Sequence, residues 1–494
     1  DGNGNNIIGD AANEPSIAVD PTNPDKMAIG WRQFDNVQSN YRQAGYGYTS
    51  DGGQSWTFPG VIEPLVFRSD PVLDYDAEGN IYYNSLSSST GAFLCKVFKS
   101  SNGGATWSLG TEAHGGDKQW MAIDRTNGPG KGNLYSAWNF EYSSCQPGSF
   151  TRSIDAGSNF EDCVEVIGNP YWGTMEVGPS GELYIAGAGS PNGVTVAKSI
   201  NAQTPGSVIT WNFETPVDLD GYVTLSSPVN PVGILGQVNI DVDRSNGPGR
   251  GNVYVLASVV RISDYDPADV MFAKSTDGGI TFSTPQRINT DVSKENYQWF
   301  GTMSVAPNGR IDVIWLDTRV DFTGGYLSAL FYCYSEDQGT TWSINKQLSE
   351  PFDPKVGYPQ QEKLGDYFDM VSDNTGAHLA WANTLNGEQD VYYTHIIPTI
   401  VGMAGTPANP FPCLSIFPNS FRDHTTIRYK IPANCFVTMS IFNIHGDLIK
   451  TLVEKNQSTG WYAVYFSDET LPAGFYICRL STGSQTETTR FIKL

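Results

Sequence analysis

The feature that most constrains this chain is an eight-residue pattern, Ser/Thr-x-Asp/Asn-x-Gly-x-x-Trp/Phe, which occurs five times between Thr49 and Trp342. In such a segment the carboxylate or amide accepts hydrogen bonds from turn amides, the glycine takes a positive φ, and the aromatic ring packs beneath the turn. Each copy therefore predicts a hairpin turn held by its own side chains. The acidic or amide positions of the five copies are Asp51, Asn102, Asp155, Asp277 and Asp337. A sixth, broken copy begins at Ser199 and is interrupted before Trp211.

A second element, a pair of short strands around a Gly- or Asn-bearing bend, repeats between these turns. Its first strands are residues 15–20, 70–76, 119–124, 172–177, 238–243, 301–305 and 367–371. Four short antiparallel strands per unit, at intervals near the ~40–50 residues of propeller repeats, predict a β-propeller. We predict seven blades, with six as the alternative. The last unit ends at Ile396 without a copy of the pattern, and we expect residues 6–8 to complete its sheet and close the ring.

The repeated turns resemble the Asp boxes of sialidase-like propellers, which carry bacterial neuraminidase repeats. This resemblance implies a secreted all-β propeller over residues 1–398. It also implies that the boxes lie at the blade rim, away from the central funnel. The five box residues are therefore expected to shape turns and to take no part in catalysis.

The net charge and the apolar content limit which classes of partner this chain is expected to bind. The formal net charge is -22, which disfavours nucleic acid, because affinity for the phosphate backbone comes from Lys and Arg. Neutral polymers, bound cations or cationic surfaces suit an acidic protein better. No apolar run approaches the ~20 residues that span a bilayer. The sequence opens on Asp-Gly-Asn-Gly, so we expect a mature N-terminus left by a removed signal peptide.

The C-terminal part of the chain differs from the repeats before it in composition and in strand pattern. Residues 399–412 are rich in Gly, Pro and other small residues and predict a linker. Residues 413–494 contain short alternating strands that, in their order, resemble the C-terminal sorting domain of the type IX secretion system. Pro418-Asn419-Ser420 stands where that family usually has Pro-Asn-Pro. The resemblance implies a small Ig-like β-sandwich, the secretion machinery as a partner, and export across the outer membrane; a plain accessory sandwich is the alternative.

The seven cysteines suggest few crosslinks. Cys145 and Cys163 are close in sequence and flank one predicted hairpin, so they are the best disulfide pair. A second pair is expected among the three cysteines of the C-terminal domain, Cys413, Cys435 and Cys478. Cys95 and Cys333 lie on strand-like runs and are expected to be small buried apolar residues.

Two nearly identical turns, residues 124–133 and 243–252, carry Asp and Asn oxygens that could hold Ca²⁺. They lack the dense alternating carboxylates of a dedicated calcium loop, so a turn that bonds to itself is favoured. The five histidines show no metal-ligand spacing. No metal site is predicted from them.

A ligand site in a propeller is expected at the central funnel, near the starts of the innermost strands. The resemblance to sialidases would require three arginines, a Tyr nucleophile with a Glu partner, and an Asp acid/base there. The segment Phe67-Arg68-Ser69-Asp70-Pro71 resembles, with one residue too many, the Arg-Ile-Pro motif of that family. Arg32 and Arg319 could complete an arginine cluster with Arg68. Carboxylates at predicted strand starts could instead act as an acid/base pair; they are Glu14, Asp70, Asp117, Asp366 and Asp369.

Aromatic residues also concentrate at these strand starts. They are Trp120, Tyr171, Trp172, Trp299, Phe300, Tyr367 and Phe368. Aromatic faces stack on sugar rings, so Trp120, Tyr171, Trp172, Trp299 and Tyr367 are candidate ligand-binding residues. Packing between neighbouring blades is the alternative.

Two hypotheses for the function follow. The first is a non-catalytic extracellular propeller that binds glycan or another surface component, or that assembles with other copies of itself. The second is a glycoside hydrolase of sialidase-like fold that acts on extracellular glycans. Fold cannot decide between them, because function lies in the site.

Overall fold

Turn-forming residues interrupt the apolar runs of this chain at short intervals, which favours many short strands. The computed structural model describes residues 6–89, 92–189, 193–321, 324–398, 414–417, 419–422, 424–431, 434–443, 447–468, 470–482 and 485–493. The chain divides into two compact units, Asp1–Ile400 and Val401–Leu494. The predicted linker, residues 399–412, lies outside the described residues. Among the described residues, no helix is both long enough and apolar enough to cross a membrane.

The first three sheets of the N-terminal unit follow one another along the chain. Blade 1 contains β1 (Ala11–Val19), β2 (Met27–Phe34), β3 (Gln43–Thr49) and β4 (Thr57–Val61). Blade 2 contains β5 (Ser69–Tyr75), β6 (Ile81–Ser89), β7 (Ala92–Ser100) and β8 (Thr111–Glu112). Blade 3 contains β9 (Trp120–Ile123), β10 (Leu134–Ala137) and β11 (Phe150–Ser153), with the short 3₁₀ helix Phe140–Tyr142 between the last two.

Four more sheets complete the unit. Blade 4 contains β12 (Met175–Val177), β13 (Leu183–Gly189), β14 (Gly193–Ser199) and β15 (Phe213–Val217). The connection to blade 5 contains β16 (Gly221–Tyr222), β17 (Leu225–Ser227) and β18 (Asn230–Ile234). Blade 5 contains β19 (Asn239–Val242), β20 (Val253–Arg261), β21 (Asp269–Ser275) and β22 (Gln286–Arg287). Blade 6 contains β23 (Gln298–Val305), β24 (Ile311–Asp317), the 3₁₀ helix Thr318–Val320, β25 (Ala329–Ser335) and β26 (Lys346–Gln347). Blade 7 contains β27 (Asp369–Ser372), β28 (Ala377–Asn383) and β29 (Asp390–Ile396).

Among the described residues, the seven blade sheets form a ring around their first strands. Each first strand contacts the next, and β27 of blade 7 contacts β1 of blade 1. Carboxylates form hydrogen bonds between neighbouring first strands. Asp74 Oδ2 accepts from Ile123 N at 2.8 Å, and Asp241 Oδ2 accepts from Val305 N at 2.7 Å. At the closing seam, Asp369 Oδ2 accepts from Ile17 N at 3.0 Å. The propeller fold expected from the sequence is confirmed.

Blade 7 differs from the sequence-based expectation. Residues 6–8 form no strand, and the sheet of blade 7 has three strands among the described residues. The N-terminal segment instead meets the loop between β28 and β29, where Asn6 Nδ2 donates to Glu388 Oε1 at 2.7 Å and Ala12 N donates to Gln389 O at 2.7 Å. Because β1 already belongs to blade 1, the residues just before it reach only that loop and cannot run along the outer edge of β29.

The predicted boxes form the expected turns. In the blade 5 copy, Asp277 Oδ1 accepts from Ser275 Oγ at 2.7 Å and from Thr281 N at 2.9 Å, and Gly279 N donates to Ser275 Oγ at 2.8 Å. Asp51, Asn102, Asp155 and Asp337 make the same contacts in their turns. In the broken copy, the bond to a turn amide spans nine residues instead of four, because Thr210 N donates to Asn201 Oδ1 at 3.0 Å.

The boxes lie at the end of the ring opposite the starts of the first strands. Each complete box follows the third strand of its blade, and in an antiparallel sheet the third strand ends where the first strand ends. The box aromatic packs onto the preceding blade: Trp107 contacts Tyr46 with ring centroids 5.8 Å apart, and Trp342 contacts Phe272 at 5.2 Å. The boxes therefore join blades and are distant from the funnel.

The cysteines and the paired turns have local roles. Cys145 and Cys163 form a disulfide, while Cys95 and Cys333 are buried thiols. In the turn at residues 124–133, Asp124 Oδ1 accepts from Thr126 N at 2.8 Å and from Thr126 Oγ1 at 2.6 Å. In its counterpart at residues 243–252, Asp243 Oδ1 accepts from Ser245 N at 2.8 Å. These carboxylates thus already bond to donors of their own turns.

The C-terminal unit consists of two sheets around one core. One sheet contains β30 (Leu414–Phe417), β32 (His424–Ile431) and β35 (Gly460–Ser467). The other contains β31 (Ser420–Phe421), β33 (Cys435–Asn443), β34 (Leu448–Gln457), β36 (Gly474–Thr482) and β37 (Gln485–Lys493). Ile427, Val437, Ile441 and Phe491 are fully buried between them.

The thiols of Cys435 and Cys478 are free, so these two do not form the second disulfide that the sequence suggested; Cys413 lies outside the described residues. In the β33–β36 ladder Cys478 lies opposite Ile441, six positions from Cys435. At ~3.3 Å per residue this separates the two cysteines by about 20 Å, far beyond the reach of a disulfide.

Candidate functional site

A residue in the left-handed region lies shortly before the first strand of every blade or within its first four residues. These residues and their φ angles are Glu14 (49°), Asp70 (48°), Lys118 (55°), Trp172 (54°), Gly236 (126°), Phe300 (57°) and Gly365 (108°). Only glycine adopts this region without strain, and strained non-glycine residues persist where the surrounding structure fixes them. In blades 1, 2 and 6 the strand pairing is also shifted at this point, as in a β-bulge. The funnel entrance is therefore built from seven equivalent irregular positions.

Three of these positions carry charges that form one buried ion network, together with Arg32, Lys363 and Asp366. Glu14 Oε2 lies 3.1 Å from Arg32 Nε, and Glu14 Oε1 lies 3.1 Å from Lys363 Nζ. Lys363 Nζ also donates to Asp366 Oδ2. Lys118 Nζ lies 2.7 Å from Asp366 Oδ2 and 3.4 Å from Asp70 Oδ2. Three cations and three carboxylates thus neutralise one another, and Glu14, Arg32 and Asp366 are at most 2% exposed.

The network shifts the pKa values of its carboxyl groups in opposite directions. Burial raises the pKa of Asp366, but Lys118 and Lys363 outweigh it and hold that pKa well below the usual range. The pKa of Asp70 is likewise lowered, because Lys118 and Arg32 outweigh burial. At Glu14 burial prevails over Arg32 and Lys363, so its pKa is raised. A carboxyl group with a raised pKa beside one with a lowered pKa is the arrangement of an acid/base pair. Both groups here are enclosed by protein.

The arginines singled out from the sequence occupy separate ion pairs. Arg32 pairs with Glu14 in the network. Arg68 contacts Glu63 and donates to Ser85 O at 3.1 Å. Arg319 lies 2.7 Å from Asp317 and 3.7 Å from Asp291. Each guanidinium has a different carboxylate partner, so the three do not share one anion site.

The two other candidate carboxylates have different surroundings. Asp117 lies 3.7 Å from Lys118 Nζ at the edge of the network. Asp369 contributes to the closing seam, where it also accepts from Ser16 Oγ at 2.6 Å.

Arg42, which nothing in the sequence marks as a functional residue, also lies at the entrance. Its guanidinium lies 4.7 Å from the centre of the Phe67 ring, and its Nε donates to Ser69 Oγ at 2.9 Å. Burial and the nearby charge of Arg32 lower its pKa to about 10. The entrance therefore combines a neutralised network with a partly desolvated arginine.

Aromatic rings close the funnel below the network. Trp120 meets Tyr367 with centroids 5.5 Å apart, and Phe300 meets Phe368 at 4.8 Å. The Tyr367 hydroxyl donates to Pro71 O at 2.8 Å. The space among Lys118, Trp120 and Trp172 is about 10 Å³, which is at the lower limit for a single water molecule. Nothing as large as a sugar ring fits there.

The five aromatic residues predicted to bind a ligand differ in burial and in their neighbours. Trp299 and Tyr367 are buried, so neighbouring protein covers the faces that would stack on a ligand. Trp120 is half-buried against Tyr367. Tyr171 and Trp172 are partly exposed and lie with ring centroids 5.0 Å apart.

Further partly exposed aromatics surround the same end of the ring. All but Phe93, which is the second residue of β7, lie in connections before first strands or between second and third strands, at the funnel end. Three pairs and one single residue join Tyr171–Trp172 to form what we call the aromatic rim: Tyr41–Phe67, Phe93–Tyr142, Tyr297–Tyr326 and Tyr265. Tyr142 is 53% exposed and Tyr265 is 87% exposed. The sequence did not indicate these seven residues, because six of them lie in connections between strands, which have no hydrophobic periodicity.

Comparison with known proteins bears mainly on the C-terminal unit. Residues 415–494 match the secretion system C-terminal sorting domain. The chain is therefore exported by type IX secretion to the cell surface or beyond, and the secretion machinery is a partner. No curated protein matches the chain.

Several solved structures resemble it at low identity. A protein of unknown function from Dyadobacter fermentans is 14% identical, with a TM-score of 0.46 over 80% of this chain and 99% of that one. A leech intramolecular trans-sialidase is 10% identical, with a TM-score of 0.41 over 69% of this chain and 68% of that one. PorZ, a surface component of the type IX secretion system of Porphyromonas gingivalis, is 12% identical, with a TM-score of 0.32 over 95% of this chain and 69% of that one. These resemblances concern the fold alone.

Proposed function

We propose that the propeller is a non-catalytic binding module, exported by type IX secretion, that holds a neutral polysaccharide across the aromatic rim. The observation that carries this proposal is the distribution of aromatic residues at the funnel end. The rings that point inward are packed against one another, whereas the rings of the rim keep part of their surface exposed along the entrance from blade 1 to blade 6. Exposed aromatic faces are the platform on which sugar rings stack.

The charges of the molecule support a neutral ligand. A net charge of -22 repels polyanions. At the entrance, the positive charges of Arg32, Lys118 and Lys363 are balanced by Glu14, Asp70 and Asp366. Little uncompensated positive charge is left there to attract a carboxylated or sulfated sugar.

The rim also suits an extended ligand. Its pairs belong to loops of several blades, so a polymer chain can meet more than one pair at a time. Weak contacts that are linked in this way bind far more tightly together than singly. A polysaccharide is therefore favoured over a free monosaccharide.

Binding can be tested with the two most exposed tyrosines of the rim. Tyr142→Ala and Tyr265→Ala should each weaken the binding of a neutral polysaccharide about tenfold, since one stacked ring contributes roughly 1.4 kcal/mol including its buried area. Affinity electrophoresis in gels containing individual neutral polysaccharides provides the measurement. Leu109→Ala is the matched control, because Leu109 is 92% exposed but follows the box of blade 2 at the opposite end. Equal retardation of all three variants and the wild type would refute the proposal.

A glycoside hydrolase is the second candidate, supported by the opposed pKa shifts of Glu14 and Asp366. Incubation of the wild-type protein with the polysaccharide that it binds, followed by analysis of reducing ends, tests this candidate. New reducing ends that disappear in Glu14→Gln would favour the hydrolase and contradict a purely binding role. Retention without cleavage is the outcome expected from the binding proposal.

A further inference from the structure

Two histidines and one aspartate meet at the box end of blade 7. His378 in β28 and His395 in β29 are direct partners in the antiparallel ladder. Their imidazole rings lie 4.6 Å apart and nearly parallel, with 6° between the planes. Asp373 lies in the turn before β28, and its Oδ2 is 3.2 Å from His378 Nε2. One donor atom from each of the three residues lies within 4.8 Å of the other two.

The carboxylate of Asp373 is held in position by its own turn. Its Oδ1 accepts from Thr375 N at 2.6 Å, Thr375 Oγ1 at 2.7 Å and Gly376 N at 2.8 Å. Arg310 Nη2 fixes the same turn by donating to Asp373 O at 2.8 Å and to Gly376 O at 2.9 Å. These three donors all contact Oδ1, whereas Oδ2 lies against the His378 imidazole.

The ring of His378 is oriented by a hydroxyl group. His378 Nδ1 lies 2.8 Å from Tyr393 Oη, and a tyrosine hydroxyl can either donate or accept. When Nδ1–H donates to Tyr393, the lone pair of Nε2 faces Asp373 Oδ2. A hydrogen bond at the second ring nitrogen is the usual support of a metal-bound histidine.

The Nε2 atom of His395 lies beside a glycine. A Cβ atom at Gly376 would lie 3.0 Å from His395 Nε2, so a side chain at that position would crowd the nitrogen. His395 is exposed, and the described part of blade 7 has no fourth strand outside β29. Its imidazole can therefore rotate to share an ion with His378.

This pair is peculiar to blade 7. At the same register, blade 2 has Tyr82 opposite Lys99 and blade 4 has Tyr184 opposite Lys198. In both, the lysine ammonium lies over the tyrosine ring, at 5.0 Å and 4.9 Å from its centre. Blade 7 replaces a cation with a second imidazole, and a box turn is missing after its third strand.

We infer that Asp373, His378 and His395 bind a divalent transition metal ion of the zinc class, with water in the remaining position. Two imidazoles and one carboxylate suit Zn²⁺, whereas Ca²⁺ and Mg²⁺ prefer sites made of oxygen alone. The ion would tie the β27–β28 turn to the outer strand of the blade that closes the ring. Blade 7 meets blade 1 close by, where Tyr393 packs against Trp56 with centroids 5.2 Å apart.

Titration of the metal-stripped full chain with Zn²⁺, followed by calorimetry, tests the inference. We expect about one equivalent to bind, at least tenfold weaker binding in His395→Gln and Asp373→Asn, and no comparable site for Ca²⁺. Tyr393→Phe keeps the ring against Trp56 but removes the hydroxyl, and should weaken binding about 10- to 100-fold. His424→Gln, which changes an exposed histidine of the C-terminal unit, is the control and should bind like the wild type.

The exposed His395 makes the test independent of folding defects at the buried His378. Electron paramagnetic resonance of the Cu²⁺-loaded protein should show coupling to two nitrogens in the wild type and to one in His395→Gln. Absence of Zn²⁺ binding by the wild type would overturn the inference, and so would unchanged affinity in His395→Gln.

Discussion

Lys118 is the residue at which the buried ion network can be tested most directly. Its Nζ lies between the carboxylates of Asp366 and Asp70, and its side chain is 10% exposed. Lys118→Met keeps the length and volume of the side chain while removing the ammonium. Lys118 already has a φ of 55°, and methionine tolerates that conformation no worse than lysine. The change therefore isolates the charge.

The expected loss follows from the distances. At an effective dielectric constant of about 20, an ion pair at 2.7 to 3.4 Å corresponds to about 5 to 6 kcal/mol of Coulomb energy. The desolvation of the ammonium costs several kcal/mol in the opposite direction. Asp366 keeps Lys363 in the variant, whereas Asp70 loses the contact with Lys118 Nζ. Removal of one partner from a buried network of this kind lowers the free energy of unfolding by about 3 to 5 kcal/mol.

The pH dependence gives a second readout with a defined sign. Burial lowers the pKa of Lys118, but Asp117, Asp366 and Asp70 raise it well above its usual value. The same contacts hold the pKa values of Asp366 and Asp70 below their unfolded value of about 3.9. The stability from these carboxylates is thus present above pH ~4 and is lost as the pH falls through their folded pKa values. The difference between Lys118→Met and the wild type should be largest at pH 7 and should narrow below pH ~4.

Urea unfolding followed by tryptophan fluorescence reports on the propeller, because Trp461 is the one of the twelve tryptophans that belongs to the C-terminal unit. Lys131→Met is the control: Lys131 forms an exposed pair with Glu78 at 2.6 Å, and its loss should leave the midpoint nearly unchanged. Wild-type stability in Lys118→Met at pH 7 would refute the argument. A difference that stays constant from pH 7 to pH 3 would show that it does not arise from the carboxylates.

Two further changes test the turns and the crosslink. Asp337→Ala removes the acceptor of Ser335 Oγ, Thr340 N and Thr341 N and should lower the free energy of unfolding by about 1 to 2 kcal/mol in the same assay. Glu336→Ala changes a residue of the same turn and should have little effect. Equal losses in the two variants would contradict the role of the box. Cys145→Ala combined with Cys163→Ala opens a loop of 18 residues and should lower the free energy of unfolding by about 3 kcal/mol. Reducing conditions should lower the stability of the wild-type protein by a similar amount. The double variant should not respond to the reductant.

The parts of the fold that the sequence predicted are those whose interactions are local. The side-chain hydrogen bonds of Asp277 all lie between Ser275 and Thr281, so the residues that form the turn are contiguous in the sequence. The Cys145–Cys163 disulfide likewise spans one hairpin. Residues 6–8 were misplaced because strand order at the seam depends on where β1 begins relative to blade 7.

The interior of the funnel could not be predicted, because its partners come from distant segments. Glu14, Lys118 and Lys363 belong to three different blades and share no sequence pattern. The direction of a side chain at a strand start also depends on the irregular φ there. Trp299 is buried between blades while Trp172, at a similar place in its own blade, is partly exposed.

The histidine pair was not predicted from the sequence for a related reason. His378 and His395 are 17 positions apart, which matches none of the short spacings that mark metal sites in a sequence. The antiparallel register of β28 and β29 places them side by side. Asp373 joins them only because the turn before β28 folds back on itself.

The ion network also bears on the choice between binding and hydrolysis. Glu14 and Asp366 belong to one network that shifts their pKa values in opposite directions, and both are covered by protein. A substrate that reached them would have to separate Lys118 from Asp366 and Lys363 from Glu14, and each broken pair would leave charges poorly solvated. Contact with the rim requires no such rearrangement, because the rings of Tyr142 and Tyr265 are already exposed. Lys118→Met separates the two cases: it should leave polysaccharide retention unchanged if the rim binds the ligand, and should alter it if the ligand enters the network.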